Sequence, residues 1–180
     1  MPKRKGKQPK ANSSDDKKES AVLVYPPYLY IGPRTAATSS FITSNSITHV
    51  LSIGSTPVSI EPSVTYHRIS LSDDPSSSIE NVSDEADTVI DAAKSGKILV
   101  HCSAAVSRSP TIVTAYLMKR CDMSLKDALG AVIRARPAVC PNAGFLEQLK
   151  EMELKLRGEC SLSMDSLPAK KSDRLAIFQV

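Results

Sequence analysis

The sequence predicts an α/β domain, with a mostly parallel central sheet flanked by helices. Three observations carry this reading. Short β-rich runs alternate with helical periods up to residue 101, and the chain beyond residue 108 reads as helices alone. Apolar residues make up 41% of the 180 residues and charged residues 23%, which is enough to close one core. At about 150 residues per domain the length gives one domain with tails. The expected division is a disordered basic tail over 1–20, a folded domain over 21–158 and a C-terminal tail over 159–180.

Residues 1–20 hold seven Lys or Arg against three Asp or Glu and contain no branched aliphatic or aromatic side chain, so they cannot offset the entropy of ordering. Their Lys3-Arg4-Lys5-Gly6-Lys7 cluster is a candidate contact for importin or nucleic acid. The net charge of +4 resides in this tail, because residues 21–180 carry sixteen basic and sixteen acidic side chains. A balanced domain lacks the basic field of a non-specific nucleic-acid binder, and any anion site must be local. The longest apolar run, 21–25, is far short of the roughly 20 residues of a membrane helix. The basic N-terminus is not followed by the apolar stretch of a secretory signal. Cys102, Cys121, Cys140 and Cys160 are about twenty residues apart with no C-x-x-C pair, a pattern of neither a zinc site nor a disulfide framework. The expectation is a soluble intracellular protein with reduced thiols, no membrane contact, and a cytoplasmic location extended to the nucleus if the basic cluster acts in import.

Four strands are expected. The first, 28–31, stops at Gly32-Pro33; the second, 47–53, at Gly54; the third, 66–71, at Ser72-Asp73-Asp74-Pro75; and the fourth, 98–101, follows Gly96. Over 81–95, Val82, Ala86, Val89, Ile90 and Ala93 share a helical face, and Gly96 is placed to end it. A shorter helix over 36–44 ends near Asn45. Pro110 suits a first helical position, continued by Ile112, Val113, Tyr116 and Leu117. Ser124 with Asp127 resembles a capping box ahead of the stripe Leu125, Ala128, Leu129, Val132 and Ile133, which stops before Pro137. Phe145, Leu149, Met152 and Leu156 suggest a last helix, and Leu175-Ala176-Ile177-Phe178 is a segment of the C-terminal tail apolar enough to dock.

The segment that carries chemistry runs from Ile98 to Pro110: an apolar strand, a short loop and a helix start. Such a loop aims backbone N–H groups at one spot, and the positive end of the helix dipole adds to them, which makes an anion site. Cys102 opens the loop and Arg108 closes it. A thiol at the positive end of a helix has its nucleophilic thiolate favoured. The planar fork of Arg108 can hold two phosphate oxygens and stabilise the charge of a phosphoryl group in transfer. A lone cysteine more often packs as a small hydrophobe. The strand, the helix, His101, Ser109 and Arg108 together argue for a phosphoester cradle lined by Ser103, Ala104, Ala105, Val106, Ser107 and Arg108, with a nucleophile at its base.

The run HCSAAVSRS at 101–109 resembles the His-Cys-x5-Arg-Ser motif of the cysteine-dependent protein tyrosine phosphatase superfamily. Ala115-Tyr116-Leu117-Met118 and Pro141-Asn142-Ala143-Gly144-Phe145, with Gln148 and Leu149, are similar to downstream motifs of its small atypical dual-specificity phosphatases, so the resemblance spans about 25–156. It implies a protein tyrosine phosphatase-like fold and metal-independent hydrolysis, without a cofactor, of phosphotyrosine and phosphoserine or phosphothreonine in phosphorylated proteins. Cys102 would form a phosphocysteine, Arg108 would bind the phosphoryl group, and Ser109 would donate a hydrogen bond to the departing thiolate. His101 would orient the loop, and Asn142 would start the last helix and brace the loop. Asp73 occupies the position of the general acid, worth about 10²- to 10⁴-fold, with Asp74 as runner-up.

One departure stands out. Ala105 replaces the glycine usual there, and a left-handed conformation forced on it costs roughly 1–2 kcal/mol. This keeps a phosphate-binding pseudophosphatase as one alternative. Another is a phosphatase acting on RNA 5′-phosphates or phosphoinositides, supported by the basic N-terminus. His49 and His67 read as strand histidines that pack, and Cys121 and Cys140 could trap an oxidised Cys102 as a disulfide.

Overall fold

A computed structural model describes residues 20–178. Val22–Tyr25 (β1), Leu29–Pro33 (β2), His49–Ile53 (β3), Thr65–Ile69 (β4) and Ile98–Cys102 (β5) form a sheet in the order β1-β2-β5-β3-β4. β1 runs antiparallel to β2, and every other neighbouring pair is parallel. The sequence pattern gives β2 to β5. β1 escapes it because its run VLVY is apolar throughout and shows no alternation. All five residues of β5 are buried, as expected for a parallel strand at the centre of a sheet covered on both faces.

The helices are Ser39–Ser44 (α1), Glu80–Ala92 (α2), Arg108–Arg120 (α3), Leu125–Ala135 (α4), Ala143–Arg157 (α5) and Lys171–Ile177 (α6). α1 begins later than the pattern suggests because the Thr38 hydroxyl accepts from the Phe41 N–H at 3.3 Å, and Arg34–Ala36 forms a separate 3-10 turn. Ser124 and Asn142 cap α4 and α5 in the same way, accepting from Asp127 N at 3.1 Å and Phe145 N at 2.9 Å. No helix among the described residues is long and apolar enough to cross a membrane. The basic cluster at 3–7 lies outside the described residues.

Alternation along β5 assigns its side chains to two layers. Ile98, Val100 and Cys102 join the main core with α2, α3, α4 and α5, whereas Leu99 packs with Ala36, Ala37 and Ile42 on the thinner side. α3 runs through the centre, with every residue from Ser109 to Met118 buried. A helix buried all round holds its N-terminal end in a fixed place, and that end adjoins the loop 103–107. Residues 159–178 also pack: Leu162, Leu167 and Phe178 enter the main core. Arg134 Nη1 donates to Phe178 O at 2.7 Å, and Glu153, itself buried, accepts from Leu125 N at 2.7 Å and Ser161 N at 2.8 Å. Single apolar anchors spaced this widely leave no periodic trace in the sequence.

Candidate active site

Because β2, β5, β3 and β4 are parallel, their carboxyl ends meet at one edge of the sheet, the usual place for a ligand in such folds. Four segments leave there: Arg34 after β2, Gly54 after β3, 70–79 after β4 and 103–107 after β5.

The loop 103–107 is held by its carbonyls. Ser103 O accepts from Arg34 N at 3.0 Å and Val106 O from Cys140 N at 2.7 Å. The Arg136 guanidinium donates to Ala104 O and Ala105 O, both at 3.2 Å. Ser107 O takes the Thr111 N–H at 3.0 Å and the Thr111 hydroxyl at 2.8 Å. In a trans peptide the next N–H points opposite to the carbonyl, so tying the carbonyls to the surrounding framework turns the following amides toward the inside of the loop. This is how an anion nest is built. Ala105 has φ of 52°, the left-handed conformation that a glycine would take without penalty. Its methyl is fully buried in the main core, which offsets part of the strain by about 0.8 kcal/mol.

Cys102 ends β5, is buried, and receives the Ser109 hydroxyl on Sγ at 3.2 Å. Arg108 opens α3. Its Nη1 donates to Gly54 O at 2.7 Å and its Nη2 to Ser103 Oγ at 3.1 Å, while its Nε is buried with no partner among the described residues. Gly54 has φ of +56°, and a Cβ there would lie 2.2 Å from Leu71 O and 2.6 Å from Arg108 Nη1. Only glycine lets the chain turn here and present its carbonyl to the guanidinium.

His101 faces the opposite layer and pairs with Ser52 across β3, Nε2 to Oγ at 2.8 Å. Nδ1 lies 3.4 Å from Cys102 O, which can only accept, so Nδ1 carries the proton and Nε2 accepts from Ser52. Burial pushes the His101 pKa down, against the Cys102 carbonyl contact and with the nearby charge of Arg34. A locked imidazole whose Nδ1 proton is engaged by Cys102 O and whose Nε2 accepts from Ser52 fixes the end of β5.

Asp73 and Asp74 are sorted by geometry. Asp73 Oδ1 accepts from Ser107 Oγ at 2.7 Å and Asn142 Nδ2 at 3.0 Å, and Asn142 N in turn donates to Ser107 Oγ at 3.2 Å. This leaves Asp73 Oδ2 without a hydrogen bond from the described residues. Asp74 instead accepts from the hydroxyl and N–H of Ser76, at 2.6 and 2.8 Å, and these bonds hold its carboxyl below the usual range. It is a turn residue. The Asp73 segment is pinned to α5: Gln148 Nε2 donates to Ser77 O at 2.9 Å, its Oε1 accepts from Ile79 N at 2.9 Å, and Gly144 touches Pro75.

A strand-borne cysteine, a loop of amides and a closing arginine with an orphaned donor are the parts of an oxyanion site. A family model for the dual specificity phosphatase catalytic domain matches residues 29–155. The chain belongs to the dual specificity phosphatase family. It is 38% identical over 133 residues to dual specificity protein phosphatase 1 of Arabidopsis thaliana, covering 72% of this chain and 67% of the relative. Dual specificity protein phosphatase 19 of Mus musculus is 35% identical over 152 residues, with coverage of 82% and 68%. The structure of a mouse putative dual specificity phosphatase complexed with zinc tungstate superposes with a TM-score of 0.72 at 30% identity, covering 85% of this chain and 94% of that one. The fold is thus that of a protein phosphatase of this family, with α/β layers as the sequence predicts.

Cys102, Ser103 to Ser109, Asp73, His101 and Asn142 come together at one place. Sequence reasoning missed Gly54, Ser52 and Arg136. Gly54 shows only as a strand end and Arg136 only as a residue before a helix-stopping proline. A glycine directly after an apolar strand was a usable signal for the first, and Arg136 offered none.

Proposed function

We propose that this chain hydrolyses phosphotyrosine and phosphoserine or phosphothreonine in proteins through a phosphocysteine on Cys102. The observation that carries this reading is the unpaired Nε of Arg108, buried beside an Nη2 that already leans on Ser103 at the loop mouth. A phosphoryl oxygen would satisfy that donor, and a guanidinium supplies the two parallel bonds such an anion takes. The tungstate held by the mouse relative is a tetrahedral oxyanion of similar charge.

In the first step Cys102 Sγ attacks phosphorus, and the S–P bond forms as the P–O bond to the leaving group breaks. Asp73 Oδ2 gives its proton to the departing oxygen, while Oδ1 stays bound to Ser107 and Asn142 and holds the carboxyl on the loop. Arg108 and the inward amides take up the charge on the equatorial oxygens. In the second step the Asp73 carboxylate accepts a proton from water, the water oxygen attacks phosphorus, and the S–P bond breaks. The Ser109 hydroxyl, 3.2 Å from Sγ, stabilises the thiolate that leaves.

The alternative of binding without turnover rests on Ala105. Because Ala105 takes the backbone conformation of glycine, the amides keep their direction and turnover is the better-supported reading. The alternative of RNA ends or inositol lipids rests on residues 3–7, outside the described part of the chain.

The test is hydrolysis of an aryl phosphate and of phosphopeptides, with vanadate as competitor. Cys102→Ser should abolish turnover, and Asp73→Asn should lower kcat about 10²- to 10⁴-fold while a phosphopeptide still binds. Wild-type protein that binds phosphopeptide without hydrolysing it between about pH 5 and about pH 8 would overturn the proposal.

A further inference from the structure

Arg136 lies outside the His-Cys-x5-Arg segment, yet it reaches the loop at its most strained point. It sits between α4 and Pro137 and is 6% exposed. A buried guanidinium is costly unless its donors are used. Here Nη2 holds Ala104 O and Nε holds Ala105 O, two successive carbonyls gripped by one rigid fork. Nη1 reaches Ser20 O at 3.3 Å, so the segment entering β1 secures the arginine from behind. Burial lowers the Arg136 pKa, and the Cys102 sulfur opposes this.

Ala105 with φ of 52° would relax to an ordinary negative φ if nothing prevented it. That relaxation would rotate the peptides on both sides of Ala105 and turn the Ala105 and Val106 amides away from a bound phosphoryl group. The two carbonyls that Arg136 grips belong to these same peptides. We propose that Arg136 is a positioning residue: its fork keeps Ala105 left-handed and so keeps the loop amides aimed at phosphate, the part a glycine at 105 would play by itself. This rests on the phosphoryl-binding reading of the loop and adds a residue to it.

A double-substitution cycle tests the assignment. Lysine at 136 keeps the charge but cannot bridge two successive carbonyls as a planar fork does. Arg136→Lys should weaken vanadate inhibition and lower kcat/KM for an aryl phosphate, each by roughly tenfold, the size of a left-handed alanine penalty. In the Ala105→Gly background the same change should cost less than about threefold, because glycine needs no enforcement. Equal losses in both backgrounds would overturn the proposal, since a merely structural arginine is indifferent to residue 105. If Arg136→Lys alone does not fold, a folded, vanadate-binding Ala105→Gly/Arg136→Lys protein supports the assignment and an unfolded one refutes it. Wild-type protein that neither binds vanadate nor turns over would instead remove the phosphatase reading itself, an outcome distinct from equal losses in an active enzyme.

Discussion

Replacing Gly144 by alanine should uncouple proton donation from phosphate binding. A Cβ at this position would lie 2.0 Å from Pro75 O and 2.6 Å from Pro75 C and Cα. A carbon and a carbonyl oxygen rest at about 3.3 Å, so either the Pro75 segment or the start of α5 must retreat by about 1.3 Å. Packing elsewhere decides which one moves. α5 is fixed by Phe145, Leu146 and Leu149, all fully buried, whereas the residues from Ser72 to Ser77 are exposed or half-buried. The displacement therefore falls on the segment carrying Asp73, two residues from Pro75. A misplacement of about 1 Å costs about 10²-fold in a positioned step. The loss should be concentrated in substrates whose leaving group needs a proton. kcat for phenyl phosphate should fall about 10²-fold, kcat for a nitrophenyl phosphate far less, and vanadate inhibition should stay within about twofold, because Cys102, Arg108 and the loop amides are untouched. The overpacking should also cost about 1–3 kcal/mol of stability, read by urea denaturation. Equal losses for good and poor leaving groups, or a matching loss of vanadate affinity, would refute the reasoning.

Gly54→Ala should do the opposite, because its Cβ would meet Arg108 Nη1 at 2.6 Å and the residue keeps φ of +56° only under strain. We expect vanadate inhibition and kcat/KM to weaken at least about tenfold for every leaving group, with retained affinity counting against the role of Gly54. Glu153 gives a prediction of pH dependence. Burial disfavours its carboxylate, but hydrogen bonds from Leu125 and Ser161 outweigh burial and hold its pKa below the ordinary value. Its contribution is therefore complete above the unfolded value of about 4.3 and is lost as pH falls through the folded value. Glu153→Gln should cost about 1–3 kcal/mol near neutral pH, with the gap to wild type closing below about pH 4 in urea titrations. A gap that persists unchanged to about pH 3 would contradict this assignment.

The sheet strands β2 to β5 were legible as short apolar runs bounded by Gly, Pro or Asp turns, and the long helices α2 to α5 as apolar positions recurring at helical spacing. β1 and α6 were not, since the apolar run of β1 shows no alternation, the seven residues of α6 give at most two turns, and the burial of both depends on what they meet. The choice between Asp73 and Asp74 shows the same limit at the site. Both precede Pro75 and both suit a turn, and in the sequence only the family resemblance ranks Asp73 ahead of Asp74. Ser107 and Asn142, which lie 34 and 69 residues away in the chain, select Asp73.

The stretch from Cys102 to Ser109 could be read in advance as a strand end, a loop and a helix start, because these are local and their geometry follows from a few adjacent dihedral angles. Tertiary structure alone decided what surrounds that loop. The carbonyl of Gly54, the fork of Arg136 and the hydroxyl of Ser52 reach it from segments 31 to 54 residues distant. Their approach is fixed by how helices and strands pack, an outcome of the whole core that no stretch of neighbouring residues encodes.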